Sequence, residues 1–156
     1  MTKSGLIAAA ALAALLGACG QGAGTPDLTV QQFMAQKVDP TSKVYFDAVQ
    51  YISDETGDHD IKPETDADWE KVRQAAADLQ AQGRQLQTPG YTEGRNPDWT
   101  QFSQSLVEAG QQAEQAAKDK NPDKVFEVSG TIYAVCDACH MAYPKDSTEP
   151  GGGNPS

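Results

Sequence analysis

Apolar residues recur along this chain at intervals of three and four, the spacing that lines one face of an α-helix. Trp69, Val72, Ala76, Leu79 and Leu86 make one such face, which runs out near "QTPG". A second contains Trp99, Phe102, Leu106, Ala109, Ala113 and Ala116. A third contains Val125, Val128, Ile132, Val135, Cys136, Cys139 and Tyr143, and Pro144 closes it. No sustained alternation of apolar and polar residues competes with these patterns, so strands are not expected.

Helix starts support the same division. "NPDW" at Asn96 and "NPDK" at Asn121 share one arrangement. Asn caps the orphan amides, Pro occupies the first turn where its missing N–H costs nothing, and Asp complements the positive helix end. "TDADW" from Thr65 is a similar start. The first helix is less regular: Val30, Phe33, Met34 and Val38 share a face, and then "DP" intervenes. Proline disfavours the helical region for Asp39 before it. A helix restarting at Pro40 is expected to bury Val44, Tyr45, Ala48, Val49 and Ile52. The fold class that follows is all-α, an antiparallel four-helix bundle with its first helix kinked or broken near Pro40. Many inward positions are Ala, so the bundle either closes tightly or keeps space for something else.

The first residues lie outside this domain. "LIAAAALAALLGA" follows "MTKSG" and is too short to cross a bilayer comfortably, which reads as a signal peptide. "LLGAC" resembles a bacterial lipobox, which implies cleavage before Cys19 and lipidation of its thiol. A plain signal-peptide cut beside a small residue is the alternative. Each buried methylene of an acyl chain contributes about 0.8 kcal/mol of anchoring. "GQGAGTPD" then reads as a flexible tether. The expected organisation is a signal peptide over 1–18, a tether over 19–27, a helical domain over 28–146 and a disordered tail over 147–156. The expected location is the periplasmic side of a bacterial membrane. By resemblance to Gram-negative lipoproteins, Gly20 in place of Asp leans towards the outer one.

The formal net charge is −10, and removal of the leader with its single cation, Lys3, takes it to −11. Such a surface excludes nucleic acid as a natural partner. It suits solubility and encounter with basic or neutral protein faces.

The chemistry concentrates in "YAVCDACHMAYPK". On a helix Cys136, Cys139 and His140 face the same general way. Cys-x-x-Cys-His is the pattern of covalent haem attachment, in which two thiols add across two vinyl groups and the imidazole reaches the iron. A structural zinc site wants four ligands, and only His59, in the acidic stretch "DETGDHDIKPE", is an obvious fourth. A thioredoxin-like pair places its attacking cysteine at a helix N-terminus within a βαβ pattern, whereas these cysteines lie deep in their helix. Haem c is the expected cofactor.

A C-terminal "CDACHMAY" on the last of four helices resembles the cytochrome c prime superfamily, and "FMAQKVDP" and "DWEKVRQAAADLQAQGRQL" are similar to segments of its bacterial members. The likeness spans Leu28 to Lys145. It implies a bundle holding haem between helices, with Cys136 and Cys139 as thioether residues and His140 as proximal ligand. In many relatives a basic residue directly follows the aromatic after the motif; here Pro144 separates Tyr143 from Lys145.

The other face of the iron decides the function. Met141 adjoins the proximal histidine and cannot reach round. Met34 is the candidate sixth ligand, against core filling as the alternative. His59 is a second candidate, against a solvated histidine. Arg84 and Arg95 are candidates for pairing with haem propionates, against plain surface charges. Trp69, Trp99, Tyr133 and Tyr143 read as core or haem packing. The expected function is a lipid-anchored cytochrome passing single electrons between redox partners of the cell envelope. The alternative is a five-coordinate haem protein that binds nitric oxide or another small gas. No nucleophile–base set or phosphate loop is legible, and no enzyme activity is expected.

Overall fold

Thr65 accepts the Asp68 amide at 3.1 Å, and the Asp68 carboxylate accepts the Thr65 amide at 3.1 Å. This reciprocal box starts helix α3, Asp66–Gln85. Asn121 caps helix α6, Pro122–Ala142, by accepting the Lys124 amide at 3.0 Å, with Pro122 in the first turn. Helix α5, Asp98–Lys118, departs from the expected start: Pro97 is its cap residue, and no side chain caps it. These long helices run in a computed structural model of the chain that describes residues 26–145. The signal peptide, Cys19, the tether up to residue 25 and the tail from residue 146 lie outside the described residues.

The first helical segment, expected to be kinked or broken near Pro40, is not broken there but carries an irregular turn just before it. Helix α1, Val30–Phe33, passes into a π turn over Met34–Val38 and then into α2, Asp39–Phe46. Proline inside an α-helix loses one hydrogen bond and clashes with the carbonyl four residues back. Here the wider π turn ends immediately before Asp39–Pro40, and the Asp39 amide reaches back to Met34 O. Asp39 therefore keeps helical angles, φ −60° and ψ −53°. Gln82 of α3 braces the turn, its amide donating to Thr41 Oγ1 at 2.9 Å and to Lys37 O at 3.3 Å.

The molecule is mostly helical, and an all-α class is corrected by a small two-stranded sheet. The helix expected to run on through Ile52 ends at Phe46. Strand β1, Gln50–Asp54, then pairs antiparallel with β2, Gly57–Ile61, in the register Tyr51–Asp60 and Ile52–His59. Asp54 Oδ1 accepts from the Thr56 amide at 2.8 Å, and Gly57 at φ +117° supplies the backbone that closes the turn. A lone hairpin is marginal in water. This one is pinned to α6, where Tyr51 donates to Asp123 and its ring meets Phe126 edge-on, centroids 5.1 Å apart. Val44 is exposed, contrary to its expected burial, while Tyr45 and Val49 are buried as expected. A short helix α4, Pro89–Thr92, follows α3 and buries Tyr91 against Phe33, ring centroids 5.3 Å apart.

The tightest packing lies between α3 and α5, where Ala75, Ala76, Ala109 and Ala113 are all buried. Glycines permit the approach. A Cβ on Gly83 would stand 2.8 Å from Val107 Cγ2 and 3.0 Å from Ser103 O. One on Gly110 would stand 2.7 Å from Gln80 Cγ and 3.1 Å from Gln80 N. A polar cluster clasps the same pair: Glu114 of α5 takes Gln80 at 2.9 Å and Arg73 at 3.2 Å, both from α3, and Lys118 at 2.8 Å. These donors, led by Lys118 and Gln80, hold its carboxyl at about 2.

Two outcomes test this packing. Gly110→Ala lowers unfolding free energy by about 1–2 kcal/mol, because overpacking outweighs the gain in helix propensity. Gly130→Ala on α6, where a Cβ meets none of the described residues within 4 Å, raises it by about 0.5–1 kcal/mol. Urea denaturation of both variants measures the contrast. The depressed Glu114 carboxyl predicts stability that is present above the ordinary value of 4.5 and lost as pH falls towards about 2. Urea midpoints at pH 5 and pH 2.5 differ less in Glu114→Gln than in the parent.

Candidate functional site

The Cys-x-x-Cys-His turn occupies the last two turns of α6, not its middle, with Tyr143 as the cap residue and its amide donating to Cys139 O at 2.8 Å. A helix C-terminus carries a partial negative charge, which opposes a thiolate. Both thiols are free and half-buried. Burial pushes Cys136 up and Cys139 to about 11, the latter helped by Cys136 and Asp98. A redox pair needs the reverse, an easily ionised attacking sulfur.

His140 is half-buried on the same side. Burial, and secondarily Lys145, lowers it below 6.5. At neutral pH it is an uncharged imidazole, the form that ligates metals.

These three residues line a cleft of about 480 Å³ between α6 and the first helical segment. Its opposite wall is Val30, Met34, Val38 and Phe46, and Trp99 lines it from α5. The volume lies within the roughly 300–1,000 Å³ usual for cofactor sites. A smaller apolar recess of about 50 Å³ also touches Met34, Trp99, Cys136, Cys139 and His140 and extends to Phe102 and Leu106. The α2–α6 contact is sparse, whereas α3 and α5 pack extensively, so the space in this helical array collects at the motif.

The floor is built from aromatic edges. Tyr143 meets Trp99 nearly perpendicularly, centroids 5.1 Å apart, and its hydroxyl donates to Asp98. Burial and that bond push the Tyr143 phenol to about 12. Trp99 Nε1 donates to Leu86 O at 2.8 Å, which fixes the indole.

The candidate residues separate cleanly. Met34 lies in the π turn and lines both spaces, facing the motif from the other wall. Arg95 lines the cleft, stacks 4.5 Å over the Trp99 ring and donates to Tyr91 O at 2.6 Å. Arg84 is exposed in the last turn of α3 and lines neither space. His59 is on strand β2 rather than in a loop, exposed, with Nε2 3.7 Å from Asp54 Oδ2, and also lines neither. Met141 is 73% exposed on the outer side of α6. Tyr133, expected to pack inside, is 66% exposed, because it is turned roughly 100° round the helix from the buried face of Val125, Val128 and Ile132. Lys145 reaches the cleft rim together with Asp39 and Ser42, polar residues that helical periodicity did not single out.

Among the described residues, no three His, Cys, Asp or Glu side chains gather where they could hold a metal ion. Among the same residues, no helix is long and apolar enough to cross a membrane. No family model, curated protein or solved structure matches the chain.

The raised thiols make a prediction. In polypeptide with both sulfurs unmodified, Cys139 reacts with iodoacetamide at pH 8 about 100-fold more slowly than an unhindered thiol. Urea restores the ordinary rate. Mass spectrometry of timed quenches measures both.

Proposed function

We propose that this protein is a c-type cytochrome that carries single electrons in the bacterial cell envelope, a divergent relative of the cytochrome c prime superfamily. In this reading the four long helical segments form an antiparallel bundle with haem c on the last helix, and Cys19 anchors the chain to the membrane by lipid. One observation carries it: Cys136, Cys139, His140 and Met34 line the same cleft, from opposite walls.

The residues fit such a group. Cys136 and Cys139 supply the two sulfurs for covalent attachment, kept as thiols by burial until they react. His140 supplies an uncharged imidazole. Met34 supplies a soft thioether, which favours the reduced state. When bound, haem supplies a one-electron iron couple at physiological potential. Val30, Val38, Phe46 and Trp99 would shield a group bound in the cleft from water and lower the dielectric around it. Arg95, already held by Tyr91 and Trp99, offers its guanidinium to an anionic group at the rim. Arg84 has no part in this proposal.

A second reading, a five-coordinate haem protein that binds a small gas, rests on the apolar lining of the cleft beside Met34. In that case the thioether packs without ligating. Neither reading assigns a catalytic residue.

Optical spectra of protein matured with its export machinery decide between them. The electron carrier gives a low-spin reduced form with a sharp alpha band that carbon monoxide leaves unchanged. Met34→Ala then turns high-spin and binds carbon monoxide. Parent protein that is high-spin and binds carbon monoxide readily, with Met34→Ala unchanged, establishes the gas-binding reading. Colourless protein with two free thiols removes both.

A further inference from the structure

Helix α6 has a second face. Opposite the core side, Phe126, Gly130, Tyr133, Asp137 and Met141 follow one another at intervals of three and four, so they form one stripe along the helix. Its large members are open to solvent: Phe126 is 49% exposed, Tyr133 66% and Met141 73%. Tyr51 of the hairpin, 44% exposed, extends the apolar strip beyond Phe126. Single exposed apolar residues are ordinary, but an aligned aromatic and methionine stripe is not.

Gly130 sits in the middle of this stripe. Glycine in a helix interior costs about 1 kcal/mol relative to alanine. Gly83 and Gly110 have a reason for that cost, since a side chain at either position would strike a neighbouring helix. Gly130 has none among the described residues, because a Cβ there meets nothing within 4 Å of them. Gly83 and Gly110 thus mark places where one helix approaches another closely, and Gly130 is a like position with none of the described residues against it.

The charges around the stripe are acidic. Asp137 lies within it, Asp123 at its end and Glu127 beside it. The cation here, Lys124, is bonded to Glu127 at 2.7 Å. We propose that this outer face of α6 is a docking surface for a protein partner that presents an apolar helix rimmed by Lys or Arg, crossing at Gly130. A second copy of this chain is the wrong occupant: an antiparallel α6 pair crossing at Gly130 turns Asp123 of one copy towards Asp137 of the other. The surface is argued from α6 alone and stands whether or not haem is attached. Where haem is attached, the partner lies one helix diameter, about 10 Å, from the opposite side of the Cys-x-x-Cys-His helix.

The test uses purified full-length protein and a fluorescent synthetic amphipathic helix of Leu and Lys as the probe. Binding weakens with salt. Gly130→Leu and Asp137→Lys each weaken it by at least about tenfold. Glu108→Lys, exposed on α5, leaves it unchanged. Circular dichroism confirms that all variants are folded. In hydroxyl-radical footprinting the probe protects Phe126, Tyr133 and Met141. The proposal is overturned by no binding, by equal loss in Glu108→Lys, or by protection spread over other acidic surfaces. It is also overturned if the protein alone dimerises with concentration and protects the same three residues. A haemochrome assay on the same preparation reads the cofactor separately, so failure of either proposal is visible by itself.

Discussion

The close approach of α3 and α5 is the constraint on which the rest of this molecule depends. Gly83 and Gly110 let the two backbones come together, buried alanines fill what little space remains, and the Glu114 cluster clasps the pair across the seam. Small side chains on both helices admit no intermediate distance without leaving voids, and voids are costly. α6 packs on α5, and the first helical segment packs on α3. Those two partners meet one another sparsely, and the cleft forms where they diverge.

The chemistry of the cleft follows from its position at the end of α6. Helix polarity and burial act together on the sulfurs, keeping both as thiols, while burial, helped by Lys145, keeps His140 uncharged. The first segment answers from the facing wall through an irregular turn. π turns occur disproportionately at functional sites. This one relieves the clash that Pro40 would otherwise cause, and Met34 is its first residue. A structural accommodation and the candidate sixth ligand thus share one turn. Under the proposed reading, the missing apolar volume and these donors belong to a single bound group.

The inner and outer faces of α6 divide the labour of the helix. The inner face contributes Val125, Val128 and Ile132 to the core and the motif to the cleft. The outer face adds nothing to the helical core and holds only the hairpin, through Phe126 and Asp123, yet it retains two aromatics, a methionine and a glycine. The hairpin is drawn to that side as well, through Tyr51, so it extends the outer surface rather than covering the cleft.

The sequence by itself determined the long helices, because their caps and periodic faces are local properties. Thr65 and Asn121 cap as their types require, and Trp69, Leu79, Leu106 and Val128 are buried where three-and-four spacing put them. It also determined that Cys136, Cys139 and His140 share a side of one helix, since that depends on spacing alone. The hairpin was not legible, because short polar strands are stabilised by contacts with α6 and carry little pattern of their own. The fate of Pro40 was not legible either, as the π turn is braced by Gln82 from another helix. Only tertiary structure could bring Met34 and Arg95 to the motif while leaving His59 and Arg84 away from it. Residues so far apart along the chain meet, or fail to meet, according to how helices pack, and here that is governed by which pair can approach most closely.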